Sequence, residues 1–76
     1  MKTPRNLSAP ELIKILAKYG YEVTRQKGSH IRLVKHSDNG AHHVTIPNHN
    51  PIKLGTLSSI IADVAENLGI SKEDFF

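Results

Sequence analysis

Five histidines and no cysteine among 76 residues direct the chemistry open to this chain toward proton transfer near neutral pH, and away from thiolate nucleophiles, disulfides and cysteine-ligated zinc. His30 is the best placed of the five. Gly28-Ser29-His30 sets its imidazole directly after a tight turn, with Lys27 and Arg32 close by and Arg25 on the same stretch. A polyanion drawn to those cations meets a group whose ordinary pKa, about 6.5, lets it accept or donate a proton at neutral pH. Activation of a ribose 2′-OH has that requirement, and cleavage by internal 2′-OH attack needs no metal. Ser29 can donate a hydrogen bond to a phosphate oxygen, Lys27 and Arg32 can clamp its charge, and Arg25 extends the clamp. Spacing alone leaves a second reading of His30 open, a histidine satisfied structurally at the start of a strand.

The other histidines carry weaker signals. His36 flanks a loop and reads as solvated. His42 and His43 are adjacent on a strand, so they point to opposite faces and make poor joint ligands for one metal; a structural or surface role fits both. His49, between Pro47 and Pro51 and just before a helix, suits either an accessory phosphate site, because helix N-termini attract anions, or hydrogen bonding that stiffens its loop. With no cysteine and no His-x-x-x-His on a helix, no metal is assigned, and no cofactor.

Positioning these groups falls to a short series of elements. Ser8-Ala9-Pro10-Glu11 has the capping-box form, and Leu12, Ile13, Ile15, Leu16 and Tyr19 recur at helical spacing up to Gly20, which predicts a helix over 9–19. Residues 21–26 alternate as a strand. A second strand runs from His30 to Lys35, the Asn39-Gly40 pair signals a hairpin turn, and a third strand runs from His42 to Ile46 until Pro47 ends it. Leu54, Leu57, Ile60, Ile61, Val64 and Leu68 then mark a second helix stopped at Gly69. Alternation assigns Tyr21, Val23, Ile31, Leu33, Val44 and Ile46 to a core side and leaves Glu22, Thr24, Gln26, His30, Arg32, His43 and Thr45 on an open, polar side, a partition that a one-residue slip would invert. The expected fold is α+β, in the order α-β-β-β-α, with a three-stranded antiparallel sheet and both helices on one face. Double-stranded-RNA-binding domains share this arrangement, which raises RNA as a partner without fixing a function.

A chain this short builds one domain, 1–76, since folds of this size bury only about 60% of their unfolded surface. Residues 1–7 read as a loose arm and 71–76 as a short C-terminal turn. Charge is uneven: residues 2–35 are net +6 and the remainder net −3, which suits a polyanion-binding face but also an ordinary solvated surface. No apolar run approaches a membrane span and no signal-like segment opens the chain, so a cytoplasmic location is expected.

Several ordered segments resemble one family. Gly28-Ser29-His30 is similar to the Gly-Ser-His element, and Ile46-Pro47-Asn48-His49 to the Pro-x-His element, of the HicA (YcfA-like) toxins; Gly55-Thr56-Leu57 resembles the opening of their second helix, and Leu68-Gly69-Ile70-Ser71 its ending. The segment Met1–Leu7 and the terminal Phe75-Phe76 are not required by that pattern. The resemblance implies a double-stranded-RNA-binding-like fold and the toxin of a type II toxin–antitoxin system. It further implies ribosome-independent mRNA cleavage, a HicB-type antitoxin covering the His30 face, and His30 as the catalytic histidine. His49 and Thr56 are accessory candidates. The rival from another class is a non-catalytic RNA-binding module in which His30 and Arg32 only touch phosphate and ribose.

Overall fold

The reciprocal bonds of a capping box start the first helix. The backbone N–H of Glu11 donates to Ser8 Oγ at 3.3 Å, while the backbone N–H and the hydroxyl of Ser8 donate to Glu11 Oε1 at 3.1 and 2.8 Å. These bonds to its ionised form hold the Glu11 carboxyl below the usual range, the Ser8 hydroxyl first and the Ser8 N–H second. In the computed structural model, which describes residues 6–38 and 40–75, helix α1 (Ala9–Ala17) is followed by strands β1 (Glu22–Lys27), β2 (His30–Ser37) and β3 (Gly40–Pro47). Helix α2 (Leu54–Leu68) and a single 3-10 turn (Lys72–Phe75) complete the order.

Helix α1 stops two residues short of the expected end and winds through a tight turn into β1. The N–H of Tyr21 donates to the Leu16 carbonyl at 3.2 Å and that of Gly20 to Ala17 at 3.1 Å, the paired bonds of a Schellman motif. Gly20 takes φ 95°, and a Cβ there would sit 2.7 Å from Lys35 Nζ. That ammonium donates to the Tyr19 carbonyl at 2.7 Å, placing a cation at the negative end of the helix. Helix α2 ends the same way, with Ile70 donating to Ala65 and Gly69 to Glu66.

The sheet is antiparallel in the order β1-β2-β3. Ile31, Leu33, Val44 and Ile46 on one of its faces join Leu12 and Leu16 of α1 and Leu57, Ile61 and Val64 of α2 in one buried cluster, so both helices cover the same side. Tyr21 is 1% exposed and closes that cluster with hydrogen bonds. Its hydroxyl lies 2.7 Å from His42 Nδ1 and accepts from Asn67 Nδ2 at 3.2 Å, and His42 Nε2 faces Asp63 Oδ2 at 3.3 Å. Phe75 also docks on the core, its ring 4.8 Å from that of Tyr19. The expected N-terminal arm lies, for residues 1–5, outside the described residues, as does Phe76. Leu7 is buried, and its carbonyl accepts from Ile52 N–H at 2.9 Å.

Strict alternation fails in β1, and the division between the two faces changes with it. Val23 pairs with Leu33, but the next pair is Arg25 with Arg32, so Thr24 is an extra residue forming a β-bulge. Beyond it Gln26 lies opposite Ile31, and Arg25 and Lys27 lie opposite Arg32 and His30. Directly opposed residues share a face. Gln26 therefore belongs to the helix-covered side rather than the open one, and Arg25 and Lys27 take the open face. Val23 keeps its expected side but is 48% exposed, on the edge strand of the sheet. On the central strand Val34 is buried on the open side, outside the main cluster, between Glu22 and His43.

Candidate functional site

The open face carries a cleft of about 580 Å³, lined by Arg25, Lys27, Gly28, Ser29, His30, Arg32 and Thr45. That volume lies within the range of small-ligand sites. Its floor is the cross-strand pair Lys27–His30 and the cross-strand row Arg25–Arg32–Thr45. Its rim is the two-residue connection Gly28-Ser29, where Gly28 at φ 58° takes the first central position, the place glycine holds in a type II′ hairpin turn. The turn does not hang free: the Ser29 carbonyl accepts from the Asn48 N–H at 2.7 Å.

Among the described residues, three permanent cations line the cleft and no carboxylate does. Arg25 faces Arg32, and Lys27 faces His30, so like charges or potential like charges stand directly across the ladder. Such pairs weaken a sheet, by tenths of a kcal/mol up to about 1 kcal/mol each in water. A bound anion reverses that sign, so the floor is complementary to negative charge. His30 is exposed, and among the described residues no side chain hydrogen-bonds its ring. His42 is the opposite case, with Tyr21 on one ring nitrogen and Asp63 on the other, which leaves neither nitrogen open to a substrate.

Every residue singled out around the Gly-Ser-His element lines this one cleft: Arg25, Lys27, Gly28, Ser29, His30 and Arg32. Thr45 joins them from β3 as a hydroxyl not assigned to the site from sequence; its place directly across from Arg32 on the same face is the signal that points to it. The accessory candidates lie elsewhere. His49 is exposed, and its carbonyl accepts from Ala9 N–H at 3.2 Å, at the start of α1. Thr56 is exposed on the first turn of α2, and neither residue lines the cleft. His36 and His43 are exposed further along the open face, opposite Ala41 and Val34. Among the described residues no group of three or more His, Asp or Glu side chains is gathered to hold a metal, and no helix is long and apolar enough to cross a membrane.

No curated protein and no solved structure matches the chain. The family model of the HicA toxin of bacterial toxin–antitoxin systems matches residues 9–69. The matched stretch starts at the first residue of α1 and ends at the glycine that closes α2, and it contains the whole cleft. The chain belongs to the HicA toxin family of bacterial toxin–antitoxin systems.

Proposed function

We propose that this toxin is a metal-independent endoribonuclease that cuts messenger RNA with His30 as its proton-transfer group. The observation that carries the reading is, among the described residues, an exposed imidazole without a side-chain partner, set on a floor of three cations with no carboxylate in the lining. A ribose 2′-oxygen attacks the adjacent phosphorus, the bond from phosphorus to the 5′-oxygen breaks, and the ends left are a 2′,3′-cyclic phosphate and a 5′-OH. His30 serves as base to the 2′-OH or as acid to the departing 5′-oxygen. One positioned group of this kind contributes about 10²- to 10⁴-fold. Arg25, Lys27 and Arg32 stabilise the charge that builds on the phosphoryl oxygens, and the Ser29 hydroxyl donates to one of them.

The decisive experiment is cleavage of labelled RNA in EDTA by the parent and by His30→Ala, with binding measured alongside. The expected result is cyclic-phosphate ends from the parent, at least about 10²-fold less product from the variant, and comparable binding by both. Tight binding with no cleavage by the parent would sink the nuclease reading in favour of a binding module. A HicB-type antitoxin of acidic surface is the partner expected over this face, acting by occlusion in the cytoplasm.

A further inference from the structure

We propose that Thr24 is a positioning residue of the cleft, and that the bulge it forms sets how much positive charge the site offers to an RNA phosphate. This rests on the reading of the cleft as an RNA site. Between Val23, opposite Leu33, and Lys27, opposite His30, β1 takes four steps where β2 takes three. The hairpin has two ways to absorb the difference. In a flat ladder Thr24 would oppose Arg32, Gln26 would oppose His30, and Lys27-Gly28-Ser29 would form a three-residue turn. In the observed register Thr24 is extruded, the turn is Gly28-Ser29 alone, and Arg25 and Lys27 take those two places.

The exchange replaces a hydroxyl and an amide with a guanidinium and an ammonium, which are two of the three permanent cations lining the cleft. Two local features hold the bulged register. Gly28 supplies the positive φ that the two-residue turn requires. Thr24 Oγ1 donates to the Arg32 carbonyl at 3.3 Å, tying the extruded residue to the central strand where the ladder is interrupted. Thr24 does not line the cleft; it acts through the direction in which Arg25 and Lys27 point.

The test is the salt dependence of binding to a labelled single-stranded 2′-O-methyl RNA, which has no 2′-OH to be attacked. Each phosphate that a cation no longer neutralises lowers the slope of log K against log salt by about 0.7 for a single strand. Thr24→Val keeps the shape, removes the hydroxyl and is expected to reduce the slope by up to about 1.4, for two phosphates, with Thr24→Ser restoring it. Gln26→Lys in the parent is expected to change nothing, because position 26 lies on the helix-covered side. In the Thr24→Val background the same Gln26→Lys is expected to recover slope, because the flat ladder brings position 26 beside His30.

An unchanged slope in Thr24→Val, or a steeper one in Gln26→Lys alone, would overturn the proposal. A reduced slope that Gln26→Lys does not recover would overturn it as well, placing the loss in the hydroxyl or in folding rather than in register. Failure of the parent to cut unmodified RNA would remove the nuclease reading and leave the register result standing.

Discussion

The phenolic oxygen of Tyr21 and Nδ1 of His42 stand 2.7 Å apart, with the two rings edge to face at 5.7 Å between centroids. Asn67 donates to that oxygen, and on the far side of the imidazole Nε2 faces Asp63 Oδ2 at 3.3 Å. One chain of bonds thus ties the entry of β1 to β3 and to two successive turns of α2.

Loss of the hydroxyl should loosen that tie without disturbing the ring's packing. Tyr21→Phe is expected to lower stability by about 1 kcal/mol, the net worth of one hydrogen bond, as read from urea unfolding. Burial, above all, raises the Tyr21 pKa above its ordinary value of 10. The phenol of the unfolded chain therefore ionises first as pH rises. The stability it contributes is complete below pH about 10 and is lost as pH climbs through the folded value. The parent should accordingly lose stability in alkali more steeply than Tyr21→Phe.

The opposite sign applies at the start of α1. Glu11 has a depressed pKa in the fold, so its contribution is present above the unfolded value of 4.5 and is lost as pH falls through the folded one. Glu11→Gln should flatten the acid limb of the stability profile. Ser8→Ala should cost about 1 kcal/mol at neutral pH through the lost cap. An acid limb that Glu11→Gln leaves as steep as before would show that the capping box does not control it.

Arg32 stands on the central strand between Arg25 and Thr45, so its removal should be felt in binding before chemistry. Arg32→Gln is expected to raise KM for RNA and to lower the salt slope by about 0.7, with kcat falling less than in His30→Ala. A fall in kcat as deep as that of His30→Ala at unchanged KM would instead make Arg32 a participant only in the transition state.

Occlusion by the antitoxin predicts competition. Saturating partner should abolish both cleavage and RNA binding, and Arg32→Glu should weaken the partner and the RNA together. A ternary complex of toxin, antitoxin and bound RNA would rule occlusion out.

Much of this architecture is legible in residues that act locally. Ser8 and Glu11 announce the first helix three residues apart, and Gly20 and Gly69 stop the two helices through bonds made within a single turn. The residues around Gly28-Ser29-His30 converge on one cleft because they sit on two strands joined by the tightest of turns. What alternation misses is an unequal step count. The extra residue at Thr24 shows only when the pairing of Lys27 with His30 and that of Val23 with Leu33 are both fixed, and the second depends on where the helices press. Ending the first strand at residue 26 leaves Lys27-Gly28-Ser29 as a three-residue break, the flat-ladder register, whereas Lys27 pairs with His30 across Gly28-Ser29 alone. The Tyr21–His42–Asp63–Asn67 network is illegible for a simpler reason. Its members are scattered over residues 21–67 and meet only once α2 has packed on the sheet.

The loop between β3 and α2 anchors the Gly28-Ser29 turn mechanically. Within five residues its backbone bonds to Ser29 through Asn48, to Ala9 through His49 and to Leu7 through Ile52. The turn carrying His30 is thereby fastened to the same short segment that fastens the beginning of α1. Segments joined in this way open together, so amide exchange at Asn48 and at Ala9 should report one shared opening event. The His30 imidazole is then expected to keep its place only as long as the first turn of the first helix stays wound.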